Sequence, residues 1–337
     1  MLRVNAYTTG YNAPSARYRV RQLIPFLSEL GVDVNEIYSQ TGAFPPPDRK
    51  DQMAWGVKNL LENGLKVCNQ PQADITWLQK VMFSKHYTFE RFLRKPLVFD
   101  VDDAIFKPDP SFVKKIAQQS QKIICGNTYL ADHFSKWNKN IDIIPTAVDV
   151  SRYEKIVPDT KKECLYILWT GTSSGYPFVY NIEESLKIIV DKYNYVKIKI
   201  VSNEKPNFNF LQTDDYIFEY WSRENEFTSI VNADIGIMPL IDNDRARGKC
   251  SYKMLCYMAA GLPVVVSPVG MNKDVLMLDD IGFEASSVDE WVQCLEVLIL
   301  NEKKRLVCSS NALSVVKVHF DVAVVSKKIE MSFNSLI

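Results

Sequence analysis

The amino-acid sequence predicts an α/β protein of two Rossmann-like domains, each built on a parallel sheet. Three observations carry this. The 337 residues exceed one ordinary domain of about 100–200 residues. Short strands rich in Val and Ile alternate with amphipathic helical stretches, which requires parallel strands with helices on both faces. The alternation runs through once, breaks at the polar segment 156–163 with its Pro158, and starts again.

In the first half the pattern predicts strands at 2–8, 32–38, 73–78, 97–101, 122–126 and 141–145, with helical stretches at 16–30, 53–61, 89–93 and 129–137. The second half opens with a strand at 165–169 and the turn Thr170-Gly171-Thr172-Ser173-Ser174-Gly175. A helix at 179–193, strands at 196–201 and 216–220, a helix at 226–233, a strand at 235–238, a helix at 250–260 and a strand at 263–266 follow, and the tail after Val288 is mostly helical. The expected divisions are 1–155, 156–310 and a last helical segment, 311–337. Ligands of open parallel sheets bind beyond the carboxyl ends of the strands, so those ends are where the chemistry is expected.

Composition excludes several classes. Lys+Arg and Asp+Glu are both 40, which leaves no basic field for nucleic acid. No run of about 18 apolar residues is present to span a membrane, and the apolar start at 1–7 is too short for a signal-peptide core. The seven cysteines, an odd count without a CxxC pair, read as reduced thiols of a cytoplasmic protein. His86, His133 and His319 are far apart and give a metal site little support.

Three segments carry candidate chemistry. In 245–270, Arg245, Arg247, Lys249 and Lys253 crowd the start of a predicted helix, Gly261 suits the position just past its end, and Pro263 resumes an extended chain. Free N–H groups and the positive dipole end of such a helix, with basic side chains, suit a diphosphate; a solvated basic edge of an amphipathic helix explains the same residues. In 96–106 a buried strand ends in Asp100, Asp102 and Asp103. Carboxylates clustered at a strand's carboxyl end lie where ligands bind, and Asp100 or Asp102 there could act on a proton; the plainer reading is a carboxylate cluster that caps a helix or pairs with Arg. In 8–21, Gly10 permits close backbone approach and Ser15 is the expected N-cap. Arg17 and Arg21, four apart, share a helix face, with Arg17 toward the ligand and Arg19 left as surface or interdomain charge. The dinucleotide fingerprint GxGxxG is absent.

From Lys253 to Gly270 the run KxxxYMAAGLPVVxSPVG resembles the donor-binding helix and following strand of family 4 retaining glycosyltransferases, which have the GT-B fold. Other segments agree in order. The run IICGNTYL at 123–130 resembles the family's strand and turn before the last helix of the N-terminal domain, and Ile144-Pro145-Thr146-Ala147-Val148-Asp149 resembles its IPNGVD signature. WTGT at 169–172 resembles the first strand-loop of the C-terminal domain, and ADIGIMPL at 233–240 the strand before the donor helix. Where many members have a His-Asp pair, Asp102 takes the His position and Asp103 the Asp; a branch with DxDD here shares GKCxxK and YMAAG. The likeness covers most of the chain and is densest from 123 to 276.

The resemblance implies two facing domains with the donor in the cleft between them and C-terminal helices that cross back to the first domain. It implies donor contacts from Gly10, Arg17, Gly171, Thr172, Arg247, Lys249, Ser251, Lys253 and Cys256, and catalytic roles for Asp100, Asp102 and Asp103. The reaction implied is transfer of a sugar from a nucleoside diphosphate sugar to a hydroxyl acceptor, with retention and without an essential metal. The implied acceptor is a saccharide or lipid-linked saccharide of bacterial surface polysaccharide synthesis, capsule or O-antigen. A cytoplasmic protein follows, with peripheral contact at the inner membrane left open.

The departures from the family are specific. Its two acidic donor-helix residues, eight apart, are replaced by Gly248 and Cys256, and a thiol is a poor partner for a ribose diol. The loop Thr172-Ser173-Ser174-Gly175 lacks the family's Arg and Lys, so Arg247, Lys249 and Lys253 are expected to take the diphosphate role. Two other classes stay open. Asp100-Val101-Asp102 also looks like the DxD of GT-A enzymes or the nucleophile motif of haloacid-dehalogenase-type phosphatases, with Leu278-Asp279-Asp280 as a later acidic motif. Against the phosphatase, Ala104 stands where those enzymes have Thr or Val, and a long αβ run precedes the motif. A non-catalytic sugar-nucleotide-binding protein is the other. Weaker expectations place Lys85 and His86 beside the acceptor, His133 in packing, Asn203 in a surface loop and Met271-Asn272-Lys273 near the sugar or diphosphate.

Overall fold

A computed structural model describes residues 1–46, 48–84, 86–157, 159 and 163–337. Lys85 and half of the expected linker at 156–163 lie outside the described residues. The chain forms two compact units. The first comprises Met1–Ala147, Arg247–Cys250 and Val322–Ile337; the second comprises Val148–Ala246 and Ser251–Asp321. The division therefore falls after Ala147, ahead of the expected boundary at 155.

The first unit holds β1 (Leu2–Thr8), β2 (Val32–Tyr38), β3 (Ile75–Gln79), β4 (Leu97–Val101), β5 (Lys122–Cys125) and β6 (Ile141–Ile143). They make one parallel sheet in the order β2-β1-β3-β4-β5-β6. Every residue of β3 and β4 is buried, as continuous apolar runs in a sheet covered on both faces should be. The edge strand β2 begins by alternating buried and exposed. One face packs under the terminal helix Val322–Asn334, whose Val322, Val325, Ile329 and Phe333 recur at helical spacing against Val4, Trp77 and Ile124. Phe333 meets Trp77 edge to face at 5.3 Å, a contact worth about 0.5–1.5 kcal/mol beyond burial.

The second unit holds β7 (Leu165–Thr170), β8 (Val196–Ser202), β9 (Tyr216–Tyr220), β10 (Ile235–Met238), β11 (Val264–Val266) and β12 (Gly282–Glu284), in the order β12-β11-β10-β7-β8-β9. Counted from β7 this is the 3-2-1-4-5-6 order of dinucleotide-binding sheets, reversed at β7 and β10. All its pairings are parallel. Ile167, Trp169, Leu186, Ile198, Ile237, Val265 and Trp291 lie in its core.

Four predicted helices are corrected. The stretch 16–30 is broken into Pro14–Arg19, a 3₁₀ turn Arg21–Leu23 and Ile24–Glu29. Pro25 has no N–H for a continuous ladder and is tolerated only near a helix start. Ala13, not Ser15, is the N-cap, with Pro14 in the first turn. The stretch 179–193 is two helices, Tyr176–Tyr180 and Glu183–Lys192. The stretch 250–260 begins only at Tyr252, because Ser251 is left-handed at φ 49°. The helix expected at 53–61 runs much further, Arg49–Cys68, and is started by Asp48, whose side chain accepts from the Lys50 N–H. No helix among the described residues is long and apolar enough to cross a membrane.

Glu62 ties that long helix to the loop after β2. It accepts from the Gln40 N–H at 2.7 Å, the Thr41 N–H at 3.0 Å and the Thr41 hydroxyl at 2.6 Å, and Lys66 Nζ lies 2.6 Å away. Burial alone would raise its pKa, but these donors outweigh burial and hold it down at about 2. A depressed carboxyl stabilises the fold above its ordinary pKa and loses that contribution as pH falls through the folded value. Glu62→Gln should therefore lower Tm at neutral pH, and the gap from wild type should shrink between about pH 4.5 and pH 2. Thermal melts of both proteins across that range check this; a gap independent of pH would contradict it.

Candidate functional site

In the first unit the chemistry gathers at the ends of two adjacent strands. β3 runs out into Lys80 and β4 into Asp102 and Asp103, while Gln79 lies in register with Asp100. Lys80 is left-handed at φ 63°, a conformation that costs a non-glycine residue about 1–3 kcal/mol. Its N–H still donates to the Asp100 carbonyl at 2.9 Å, so the ladder continues while the side chain turns along the sheet edge. Its Nζ lies 2.6 Å from Asp103 and 3.1 Å from Asp102. Gln79 adds a 3.3 Å bond to Asp102 Oδ1. Burial alone would lower the Lys80 pKa, but Asp102 and Asp103 outweigh it and raise it, so Lys80 stays an ammonium. Asp103 keeps 49 % of its side chain exposed and is the carboxylate presented to solvent. Sequence reasoning missed Lys80; its only signal was a cation directly after a five-residue buried strand.

Asp100 does something else. It was expected among the catalytic carboxylates, yet it is 0 % exposed. Arg19 Nε donates to its Oδ1 at 3.0 Å, Arg19 Nη2 lies 2.9 Å from the same oxygen, and Trp77 Nε1 donates to Oδ2 at 3.1 Å. Arg19 Nη1 donates to the Ile144 carbonyl at 2.7 Å. Burial raises the Asp100 pKa to about 6, with Arg19 opposing and Asp102 adding to the rise. Asp100 is thus a structural anchor, and Arg19 is a buried partner, not the surface charge expected of it. Arg17 lies over the Tyr18 ring at 4.4 Å, whereas Arg21 pairs with Glu36 at 2.7 Å; the helix ends between them, so they share no face. At Gly10 an added Cβ would lie 3.4 Å from the Ser39 carbonyl oxygen.

The segment Arg247–Cys250 also belongs to this unit. Asn127 Nδ2 donates to the Lys249 carbonyl at 3.0 Å, and the Cys250 thiol donates to the Asp102 carbonyl at 3.2 Å. A Cβ on Gly248 would lie 2.7 Å from Ala104 Cβ and 2.8 Å from its amide nitrogen. That contact explains a glycine where the resembled family has an acid. Arg247 and Lys249 are accordingly in the first unit, not in the same unit as Lys253.

In the second unit, β7 ends in Thr170 and passes through Gly171 and Thr172 into the turn Ser173–Gly175. Asn203 braces this turn, accepting from the Ser173 N–H at 2.8 Å. A Cβ on Gly171 would lie 2.7 Å from Lys253 Cε and 2.8 Å from the Trp169 ring; the glycine is what lets Lys253 cross the strand end. The ammonium lies 5.5 Å from the Trp169 ring centroid, within cation–π range. Lys253 sits in the first turn of the helix Tyr252–Ala259. Ser251, just before it, is buried and donates to Asn272 Oδ1 at 2.7 Å, and Asn272 Nδ2 donates to the Ser267 carbonyl at 3.1 Å. Asn272 is therefore part of the scaffold under the helix start. Cys256 is buried further along, where burial, with Glu226 adding, raises its pKa to about 12. A cation, helix N–H groups and a tight glycine turn at the carboxyl edge of a 3-2-1-4-5-6 sheet can hold a phosphate group. Elsewhere, His133 stacks on Phe106 at 3.5 Å, a packing position, and His86 lies against Phe83.

No protein-family model matches the chain, and no curated protein matches it in sequence. Solved structures do match it from end to end. HepE of Anabaena, solved with UDP and glucose, superposes with a TM-score of 0.72 at 14% identity over 100% of both chains. A glycosyltransferase from Rickettsia africae gives 0.71 at 12% identity, over 99% of this chain and 98% of that one. WaaG, described as a glycosyltransferase involved in lipopolysaccharide biosynthesis, gives 0.66 at 14% identity over 99% of each. At these identities the likeness is one of fold, and the fold is GT-B.

The anchor pair makes a stability prediction. Removing one partner of a buried ion pair leaves a stranded charge and costs about 3–5 kcal/mol, whereas replacing both is far milder. Arg19→Met should destabilise the protein by about that much, and Arg19→Met/Asp100→Leu should recover most of it. Urea unfolding of the two variants checks this; a double variant no more stable than the single one would contradict it.

Proposed function

We propose that the chain is a glycosyltransferase that moves a sugar from a nucleoside diphosphate sugar to a hydroxyl acceptor. The observation that carries this reading is Lys253, which stands in the first turn of its helix and whose side chain is laid across Gly171 at the end of β7. Glycosyl transfer from a nucleotide develops negative charge on the departing diphosphate. A fixed ammonium and a helix N-terminus in that position stabilise it without reorganising. Gly171 and Thr172 supply close backbone approach to the donor, and Ser251 with Asn272 holds the helix start in place. Gly10, Arg17, Arg247 and Lys249 of the first unit are assigned to the donor on the family resemblance alone. Cys256, buried and protonated at neutral pH, serves packing rather than the ribose.

On the acceptor side the proposal gives Asp103 the proton of the attacking hydroxyl, with Asp102 orienting beside it. Lys80 lies between the two carboxylates and Arg19 is spent on Asp100. The carboxylates therefore already have protein cations as partners, which supports a reaction without an essential metal. Retention, a saccharide or lipid-linked saccharide acceptor, and a place in surface polysaccharide synthesis follow from the resemblance and are proposed on it. The phosphatase reading needs Asp100 as nucleophile, and a carboxylate with no accessible surface between Arg19 and Trp77 has no line of attack.

Thermal-shift and calorimetric titration with UDP, GDP, CDP and ADP and their sugar conjugates, with and without Mg²⁺, tests the donor site. One nucleotide should bind without metal, and Lys253→Ala should weaken it at least about tenfold. Asp103→Asn should keep that affinity and lower the single-turnover rate of donor consumption about 10²–10⁴-fold. No shift with any nucleotide, or equal donor consumption by Asp103→Asn, would sink the reading. Binding without turnover in the wild type would leave a sugar-nucleotide-binding protein.

A further inference from the structure

The helix Arg49–Cys68 is built inside out. Its buried residues are polar: Asn59 is 0 % exposed, and Asn63 is buried beside it. Asn59 Nδ2 donates to the Gly42 carbonyl at 2.8 Å and Asn63 Nδ2 to the Met82 carbonyl at 3.1 Å. Trp55 Nε1 donates to the Gly42 carbonyl at 3.1 Å. The inner face is thus zipped to loop backbone by side-chain hydrogen bonds. The apolar residues stand on the other side, with Met53 82 %, Leu61 65 % and Leu65 65 % exposed, and Val57 and Leu60 exposed as well. At about 100° per residue these five fall in one arc of about 140°. An ordinary surface helix turns such an arc inward, and an exposed contiguous apolar face marks an interaction site.

The surroundings of the arc are basic. Arg49, Lys50 and Lys58 are exposed on the same helix. Just past its C-terminal end, Gln70 bonds the Phe92 carbonyl and the Arg94 N–H, which sets exposed Phe92, Arg94 and Lys95 beside it. Asp48 and Asp51 at the helix start are exposed acids, but the five cations outnumber them, so in a chain with no net charge the border of this hydrocarbon is net cationic. We infer that this face of the first unit docks on an anionic lipid bilayer, with Met53, Val57, Leu61 and Leu65 in the acyl boundary and the basic residues among the headgroups. A convex helix with an apolar arc and a cationic border is the geometry of an interfacial helix. A two-fold contact between copies through the same face would bring two cationic borders together, so a second copy is the poorer occupant. The inference rests on this helix and not on the donor site.

Cosedimentation of the full chain with vesicles tests it. Vesicles of phosphatidylcholine with about one-third phosphatidylglycerol should bind the protein, and phosphatidylcholine alone should bind it much more weakly. Leu61→Glu/Leu65→Glu should lose at least about tenfold in affinity, and Lys50→Glu/Lys58→Glu should weaken binding to the anionic vesicles and flatten its salt dependence. All four side chains lie on the surface, so each variant should keep the wild-type Tm and nucleotide response; that control separates a failure here from a failure of the donor reading. Absence of vesicle binding by the wild type overturns the inference, as does undiminished binding by Leu61→Glu/Leu65→Glu. A wild-type dimer on size exclusion that this variant dissociates, without vesicle binding, would assign the face to a second copy instead.

Discussion

The ion pair of Arg19 and Asp100 is the constraint on which the first unit's working edge depends. It joins the first helix to β4, reaches the Ile144 carbonyl beyond β6, and takes in Trp77 from β3. A carboxylate at 0 % exposure is tolerable only because three donor contacts converge on it. Its burial fixes the direction of the backbone leaving β4, and that direction delivers Asp102 and Asp103 to Lys80. One charge is given over wholly to structure so that two others stand at defined positions.

Lys80 shows the same logic from the neighbouring strand. A left-handed lysine is unfavourable by itself, and it persists here because its N–H completes a ladder bond while its ammonium bridges two carboxylates. In the second unit a glycine solves the corresponding problem by omission. Gly171 clears the path by which Lys253 crosses the end of β7 and reaches the Trp169 ring. Both units therefore place a lysine at a strand's carboxyl end, one through backbone strain and one through the absence of a side chain.

Much of the fold was legible because buried parallel strands are short uninterrupted apolar runs. β4 and β10, both wholly buried, have the limits that their Val, Ile and Phe content suggests. The site was legible only as a list of strand ends. Arg19 was misread because a helix assumed continuous from 16 to 30 puts Arg17 and Arg21 in phase, and the break at Val20 and Pro25 removes that phase. The reason for Gly248 lies in Ala104, far away in sequence. The start of the helix at Tyr252 depends on a left-handed Ser251 that its composition does not announce. In the helix Arg49–Cys68 periodicity reveals an apolar arc but not its direction, and the usual assumption that it faces inward fails because Asn59, Asn63 and Glu62 bond the loop beneath.

The first unit is assembled from three separate stretches of chain, the last of them Val322–Ile337. Val325, Ile329 and Phe333 cover Val4 and Trp77, residues that leave the ribosome long before them. During synthesis this sheet therefore waits, with one apolar face uncovered, until the whole second unit has emerged. The second unit, contiguous but for four residues, has no such wait. The order of maturation is then the reverse of the order of translation: the later-made sheet can close first, and the earlier one is sealed by a helix made after both sheets.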